Sequence, residues 1–311
     1  MAVTALAGLV GTVLRVWPEH EQYVRERFTG CDERHLVVCD GIARRICAII
    51  AADPEDAIRN YRWTCEMMLE EEYFFRRTGS YRHTSFAEVR ARVYDDAEFM
   101  RRYSDGLLLS QVLWSNHAHS LQTYETDFLA NLDAHGDLLE VGPGHGLLLA
   151  LAAERCRGKL VGWDISPGSV VAARRALLAM GVPEVQLECR DLLTAPVTAE
   201  FDAVVASELL EHLEEPAVAL RRLGALTRPG GRLFLNIPVN SPAPDHITLW
   251  RTPEEIEALL AMEGLETEAM HTFPMTGKSL TQARADGLSV SCVAICRKPS
   301  RDASACEKTR R

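Results

Sequence analysis

The sequence predicts an α/β protein: a doubly wound, seven-stranded, mostly parallel sheet with an antiparallel edge strand, preceded by a mainly helical N-terminal region. Three observations carry this. After about residue 135, short apolar runs alternate with helical segments at the intervals of βαβ units. The first run leads straight into a glycine-rich loop, "LLEVGPGHG". Before residue 135, apolar residues recur at three- and four-residue spacings, and glycine and β-branched runs are sparse.

The strands fall at 137–142, 159–164, 185–190, 201–207 and 231–239, with two more near 267–273 and 288–297. Between them, "LLLALAAERC", "PGSVVAARRALLAM", "PAVALRRLGALT" and "TPEEIEALLAMEG" read as helices. No helix is expected between the last two strands, which suggests an antiparallel edge hairpin. In the first part, "PEDAIRNYRWTCEMMLEEEYFFRRT" and the long stretch from "SFAEVRARVYDD" to "DFLANL" are helical in pattern. The first 30 residues are open between a strand, a helix and a dimer arm. The expected division is a helical lid or dimerisation region at 1–130, the sheet domain at 131–298 and a polar, frayed tail at 299–311.

Composition narrows the function. The chain has 311 residues, 47% of them hydrophobic, enough for one large or two modest domains. There is no run of 18 apolar residues, and "MAVTALAGLVGTVLRVWPEH" lacks a basic leader and cleavage site, so neither export nor a membrane is expected. Nine scattered cysteines without a CxxC pair read as reduced thiols in a cytoplasmic protein, with Cys292 and Cys296 packed in the core. A net charge of −10 repels a polyanion, so nucleic acid is a poor partner. A small-molecule substrate remains, and a homodimer is left open.

In a doubly wound sheet the ligand sits beyond the carboxyl ends of the strands, so the first strand-to-helix loop is where to look. Here it holds Gly142, Gly144 and Gly146. No Lys-Ser/Thr pair follows them, which disfavours a nucleoside triphosphatase. Glu140 precedes the loop, where a carboxylate opposes a pyrophosphate and suits a cation. Asp164 ends the second strand, the place that accepts hydrogen bonds from a ribose diol, and Asp191 follows the third, within reach of an adenine amine. Ribose, adenine and a cationic group without a phosphate grip describe S-adenosylmethionine.

"LLEVGPGHG", "VGWDISPGSV", "CRDLL", "FDAVVASELLEHL" and "LTRPGGRLFLNIP" resemble, in order and spacing, the successive motifs of the class I S-adenosylmethionine-dependent methyltransferases over residues 135 to 298. The resemblance implies a Rossmann-like sheet, a glycine loop around the methionine part and Asp164 on the ribose. Ile165, Leu192, Ser207 and Glu208 would complete the donor site.

If "SELLEHLEEP" is helical, Glu208, Glu211 and His212 share one face, a plausible part of a divalent-metal site, and His246 follows the fifth strand on the same sheet edge. The segment is similar to those of two metal-dependent branches, the small-RNA 2'-O-methyltransferases and the ubiquinone-pathway O-methyltransferases. By that resemblance a metal held by Glu208, Glu211, His212 and His246 would bind neighbouring acceptor oxygens. A metal-free role for His212 or His246 as general base, or a purely structural one, stays open.

Trp114, His117 and Tyr124 lie roughly along one helical face just before the sheet and are candidate acceptor-lining residues; ordinary packing is the alternative. The expected activity is methylation of a small molecule, foremost O-methylation in bacterial specialised metabolism. N- or C-methylation, the latter of a 2-oxo acid, and non-catalytic binding of S-adenosylmethionine are the alternatives.

Overall fold

A computed structural model describes residues 4–300. The part of the expected polar tail from residue 301 onward lies outside the described residues.

The N-terminal part is helical, including the first 30 residues: α1 (Thr4–Val16) and α2 (Glu21–Phe28) flank a single turn at Pro18–His20. Next come α3 (Glu33–Ile49), α4 (Pro54–Thr78), the short α5 (Phe86–Val89), a π turn at Arg90–Tyr94, α6 (Ala97–Leu113) and α7 (Ser115–Thr123). Local chemistry sets several of these boundaries. Asp32, Asp53 and Asp96 each accept a hydrogen bond from a first-turn amide of α3, α4 and α6, and Gly79 ends α4 in the left-handed region at φ 71°.

The sheet follows: β1 (Leu138–Val141), α8 (Leu147–Arg155), β2 (Leu160–Asp164), α9 (Pro167–Ala179), β3 (Gln186–Cys189), β4 (Phe201–Ser207) and α10 (Pro216–Leu226). It is completed by β5 (Thr227–Val239), α11 (Pro253–Met262), β6 (Glu266–Pro274), α12 (Leu280–Asp286) and β7 (Val290–Arg297). The strand order is β3-β2-β1-β4-β5-β7-β6. It reverses at β1, which pairs in parallel with both β2 and β4. Two expectations about the end of the chain are corrected. The antiparallel strand is β7, which threads between β5 and β6, so the edge strand β6 runs in the direction of the parallel set. A helix, α12, also separates β6 from β7, opened by a capping box between Ser279 and Gln282.

Alternating side chains send the strands' apolar residues to two cores. Leu138, Val205, Phe234 and Ile295 pack with α8, α9 and the N-terminal helices, whereas Leu139, Val204, Leu233, Leu235, Cys292 and Cys296 pack with α10 and α11. The N-terminal helices thus share a core with one sheet face, and α6 extends from it over the carboxyl edge. Among the described residues every cysteine is free, and no helix is long and apolar enough to cross a membrane.

Candidate functional site

The loops after β1, β2, β3, β4 and β5 all open into one cavity of roughly 2120 Å³, walled on the far side by residues of α2, α4 and α6. A single small-ligand pocket occupies about 300–1,000 Å³, so this space suits two ligands side by side.

The glycine loop forms one wall. Gly142 and Gly144 sit at φ 73° and 50°, where a side chain costs roughly 1–2 kcal/mol, and a Cβ on Gly142 would also press within 3.1 Å of Leu209. The backbone therefore lies bare to the cavity. Gly146 differs from expectation: it begins α8, with Leu177 packed where its Cβ would be, and lies off the wall. Glu140 lies beneath the loop with one carboxylate oxygen lacking any partner. Burial pushes its carboxyl up to about 8, against the pull of the Leu149 amide. His145 also lines the cavity, its Nδ1 buried and unpartnered, and burial lowers the imidazole to about 4.

Asp164 reaches the cavity from the end of β2, with Oδ1 accepting from the Ser166 amide at 2.8 Å. Burial raises its carboxyl above the usual range. Asp191 lies on the same wall, but both oxygens cap its own turn, from the Leu193 amide (2.8 Å) and the Thr194 hydroxyl (2.9 Å). Ile165 is an exposed rim residue and Leu192 a buried one. The Ser207 hydroxyl accepts from Asn236 at 3.2 Å.

After β4 the expected helix is absent. Glu208 takes a left-handed backbone at φ 51°, and only Leu210–His212 turn as a single 3₁₀ element. The helical face proposed for Glu208, Glu211 and His212 therefore does not exist. Glu211, His212 and His246 instead converge, with one potential ligand atom from each within 4.8 Å of the others. Glu208 stands outside this trio, its Oε1 taken by Asn236 Nδ2 at 2.9 Å.

Glu211 is fully buried and neither of its carboxylate oxygens receives a hydrogen bond from an N–H or hydroxyl donor; the polar group beside it is the carboxyl of Glu208, with which it can share a proton. His212 Nε2 lies 3.9 Å and His246 Nε2 4.0 Å from Oε1 of Glu211. Their other ring nitrogens face backbone carbonyls: His212 Nδ1 that of Asp245 at 3.0 Å, and His246 Nδ1 that of Ser241 at 2.6 Å. A carbonyl only accepts, so each Nδ1 carries the proton and each Nε2 turns a lone pair toward the carboxylate. Burial and the neighbouring Glu208 hold the Glu211 carboxyl well above the usual range, and burial lowers His246 to about 4. Two imidazole lone pairs and a carboxylate without such a donor, aimed at one point, fit a cation.

Trp114 and His117 line the cavity. Tyr124 does not: it is fully buried against Phe128 and Phe234, with ring centroids 5.6 and 5.0 Å away, and serves packing. Sequence reasoning missed Asp245, Tyr94 and Tyr103. The Tyr94 hydroxyl lies 3.3 Å from His212 Nδ1 and 3.4 Å from Asp245, and Tyr103 donates to Asp245 at 2.8 Å. The position of Asp245, just before a candidate ligand, was the one available signal.

Against known families, residues 113–286 match a methyltransferase domain. The chain belongs to the class I S-adenosylmethionine-dependent methyltransferases. The chain is 35% identical over 128 residues to the ubiquinone biosynthesis O-methyltransferase of Xanthomonas oryzae, an alignment covering 40% of this chain and 53% of that relative. It thus spans about half the length of the curated relatives it matches. Among solved structures it is similar to the mitomycin 7-O-methyltransferase, at 18% identity and a TM-score of 0.52 over 80% of this chain and 72% of that one. It is also similar to the 1,6-didemethyltoxoflavin-N1-methyltransferase of Burkholderia thailandensis, again at 18% and 0.52, over 70% and 92%. These likenesses establish the fold alone.

Proposed function

We propose that this methyltransferase transfers the methyl group of S-adenosylmethionine to an oxygen of a small-molecule acceptor, with a divalent metal held by Glu211, His212 and His246. The observation that carries the reading is the Glu211 carboxyl, buried without a hydrogen-bond donor behind the donor cavity and faced by the Nε2 lone pairs of His212 and His246, which line it. Such a group is costly to bury without a cation or a proton. The O-methyltransferase named among the relatives supports the choice of oxygen.

The donor's cationic amino group would lie against Glu140, its methionine part along the bare backbone of Gly142 and Gly144, and its ribose on Asp164. Ile165 and Leu192 would enclose the adenine, whose amine Asp191 would meet through its remaining lone pairs. Ser207 and Glu208 would lie between donor and acceptor. A divalent ion at the trio would supply Lewis acidity that lowers the pKa of an acceptor hydroxyl at neutral pH. The sulfonium is already activated, so the remaining task is alignment and exclusion of water, which Trp114 and His117 would serve from the far wall. His246, neutral and shielded, suits ligation better than general-base work.

The test is release of S-adenosylhomocysteine from hydroxylated small molecules, such as catechols, by the metal-stripped protein with and without added divalent ions. Metal-dependent turnover that Glu211→Gln abolishes is expected. Equal turnover in the stripped protein and in Glu211→Gln would eliminate the metal, and turnover only with amine acceptors would eliminate O-methylation.

A further inference from the structure

The histidines of the trio are braced from outside by tyrosines of the N-terminal region. Tyr94, at the end of the π turn after α5, brings its hydroxyl to His212 Nδ1 (3.3 Å) and to Asp245 Oδ2 (3.4 Å). Tyr103 on α6 donates to the other oxygen of Asp245 at 2.8 Å, and the Asp245 carbonyl receives His212 Nδ1. Tyr81, from the segment between α4 and α5, accepts the Ser241 amide at 3.0 Å, and the Ser241 carbonyl receives His246 Nδ1. The Tyr81 ring also meets that of His246 edge-on at 5.8 Å. Each hydroxyl bridges 118 to 160 residues of sequence, so none of these contacts follows from the local fold of the sheet.

The chemistry makes this bracing directional. A histidine donates its far N–H to an acceptor that fixes its tautomer and ring orientation, and removing that partner typically costs about 10–100-fold in metal affinity. Here the acceptors are carbonyls of the loop after β5, whose own positions are held by hydroxyls from the N-terminal region.

We propose that Tyr81, Tyr94 and Tyr103 are positioning residues through which the N-terminal helical region completes the metal site, so that metal binding and seating of residues 81–103 over the cavity are one linked equilibrium. The proposal rests on the metal reading above. By reciprocity, whatever seating contributes to metal affinity, metal returns to the seating of that segment. The acceptor would then meet a fully formed metal site only beneath a closed segment, which excludes water at the moment of transfer.

The test uses Co²⁺, whose visible absorption reports ligand geometry, titrated into the metal-stripped full chain. Expected for Tyr94→Phe, and separately for Tyr103→Phe, is about tenfold or greater weakening of Co²⁺ binding with an altered spectrum. Tyr73→Phe, on an exposed side chain of α4, should bind as the parent does. Hydrogen exchange of the unsubstituted protein gives a second readout: amides of residues 81–103 should slow when Co²⁺ is added. Parental affinity and spectrum in both tyrosine variants, or no protection of that segment, overturns the proposal. The metal reading survives that result if Glu211→Gln still loses Co²⁺; absence of Co²⁺ binding by the parent sinks both.

Discussion

Glu140 offers a quantitative test of how the donor is held. In the free protein its carboxyl is raised from 4.5 to about 8, first by burial. Between those values the folded state keeps a proton that the unfolded chain has released, so stability falls as pH rises through that window and levels off above it. At about 1.4 kcal/mol per unit the full effect is roughly 5 kcal/mol, an upper figure because water entering the cleft relieves part of it. Glu140→Gln keeps the shape and an acceptor for the Leu149 amide and removes the titration. Its stability relative to the parent should therefore climb steadily from pH 5 to pH 8.

Ligand binding should show the opposite dependence. The amino group of S-adenosylhomocysteine is an ammonium below about pH 7.7 and pairs with the carboxylate form of Glu140, which is scarce in the free protein at that pH. Affinity should rise about tenfold per pH unit, near 30-fold between pH 5.5 and 7, with release of about one proton per ligand. His117 and His145, both lowered to about 4, do not titrate in this window, whereas Glu208, raised by burial to about 7, does, so the part of the slope due to Glu140 is the part that Glu140→Gln removes. Calorimetry in two buffers of different ionisation enthalpy measures affinity and proton release together. The Gln variant should bind more weakly at pH 7 and with a much shallower slope. A parent whose affinity does not change with pH, or a Gln variant that keeps the parental slope, refutes the assignment of the ammonium to Glu140.

Asp164→Ala should weaken S-adenosylhomocysteine by about 10- to 150-fold, the worth of hydrogen bonds to a charged acceptor at about 1.5–3 kcal/mol, with the melting temperature nearly unchanged. Gly144→Ala places a side chain at φ 50° and should cost about 1–2 kcal/mol in denaturant unfolding, together with lost donor affinity. Tyr124→Phe removes a buried hydroxyl that has no partner, so it should leave turnover intact and stabilise by about 1 kcal/mol in urea melts; a large loss of activity would return Tyr124 to the acceptor wall.

What the sequence disclosed and what it hid divides along a physical line. The parallel strands, the left-handed glycines at 142 and 144, and Asp164 at the end of β2 are legible because each is a local demand: a period, a φ angle, a position at a strand end. The capping box at Ser279 was equally local, so α12 could have been read from "SLTQ". The insertion of β7 between β5 and β6 has no such signature, since an apolar run fits a central strand in either direction. The grouping of Glu211, His212 and His246 was missed for a subtler reason. Treating "SELLEHLEEP" as a helix placed Glu208 beside Glu211 by periodicity, whereas the chain spends Glu208 on a left-handed turn that sends it to Asn236. That same turn frees Glu211 to point inward at His246, a residue 35 positions away by the numbering. A helix would have presented three ligands on one surface open to water; the turn buries one carboxylate between two rings. The departure from regular structure is what makes the group costly without a cation or a proton, and the sequence carries no period from which to read it.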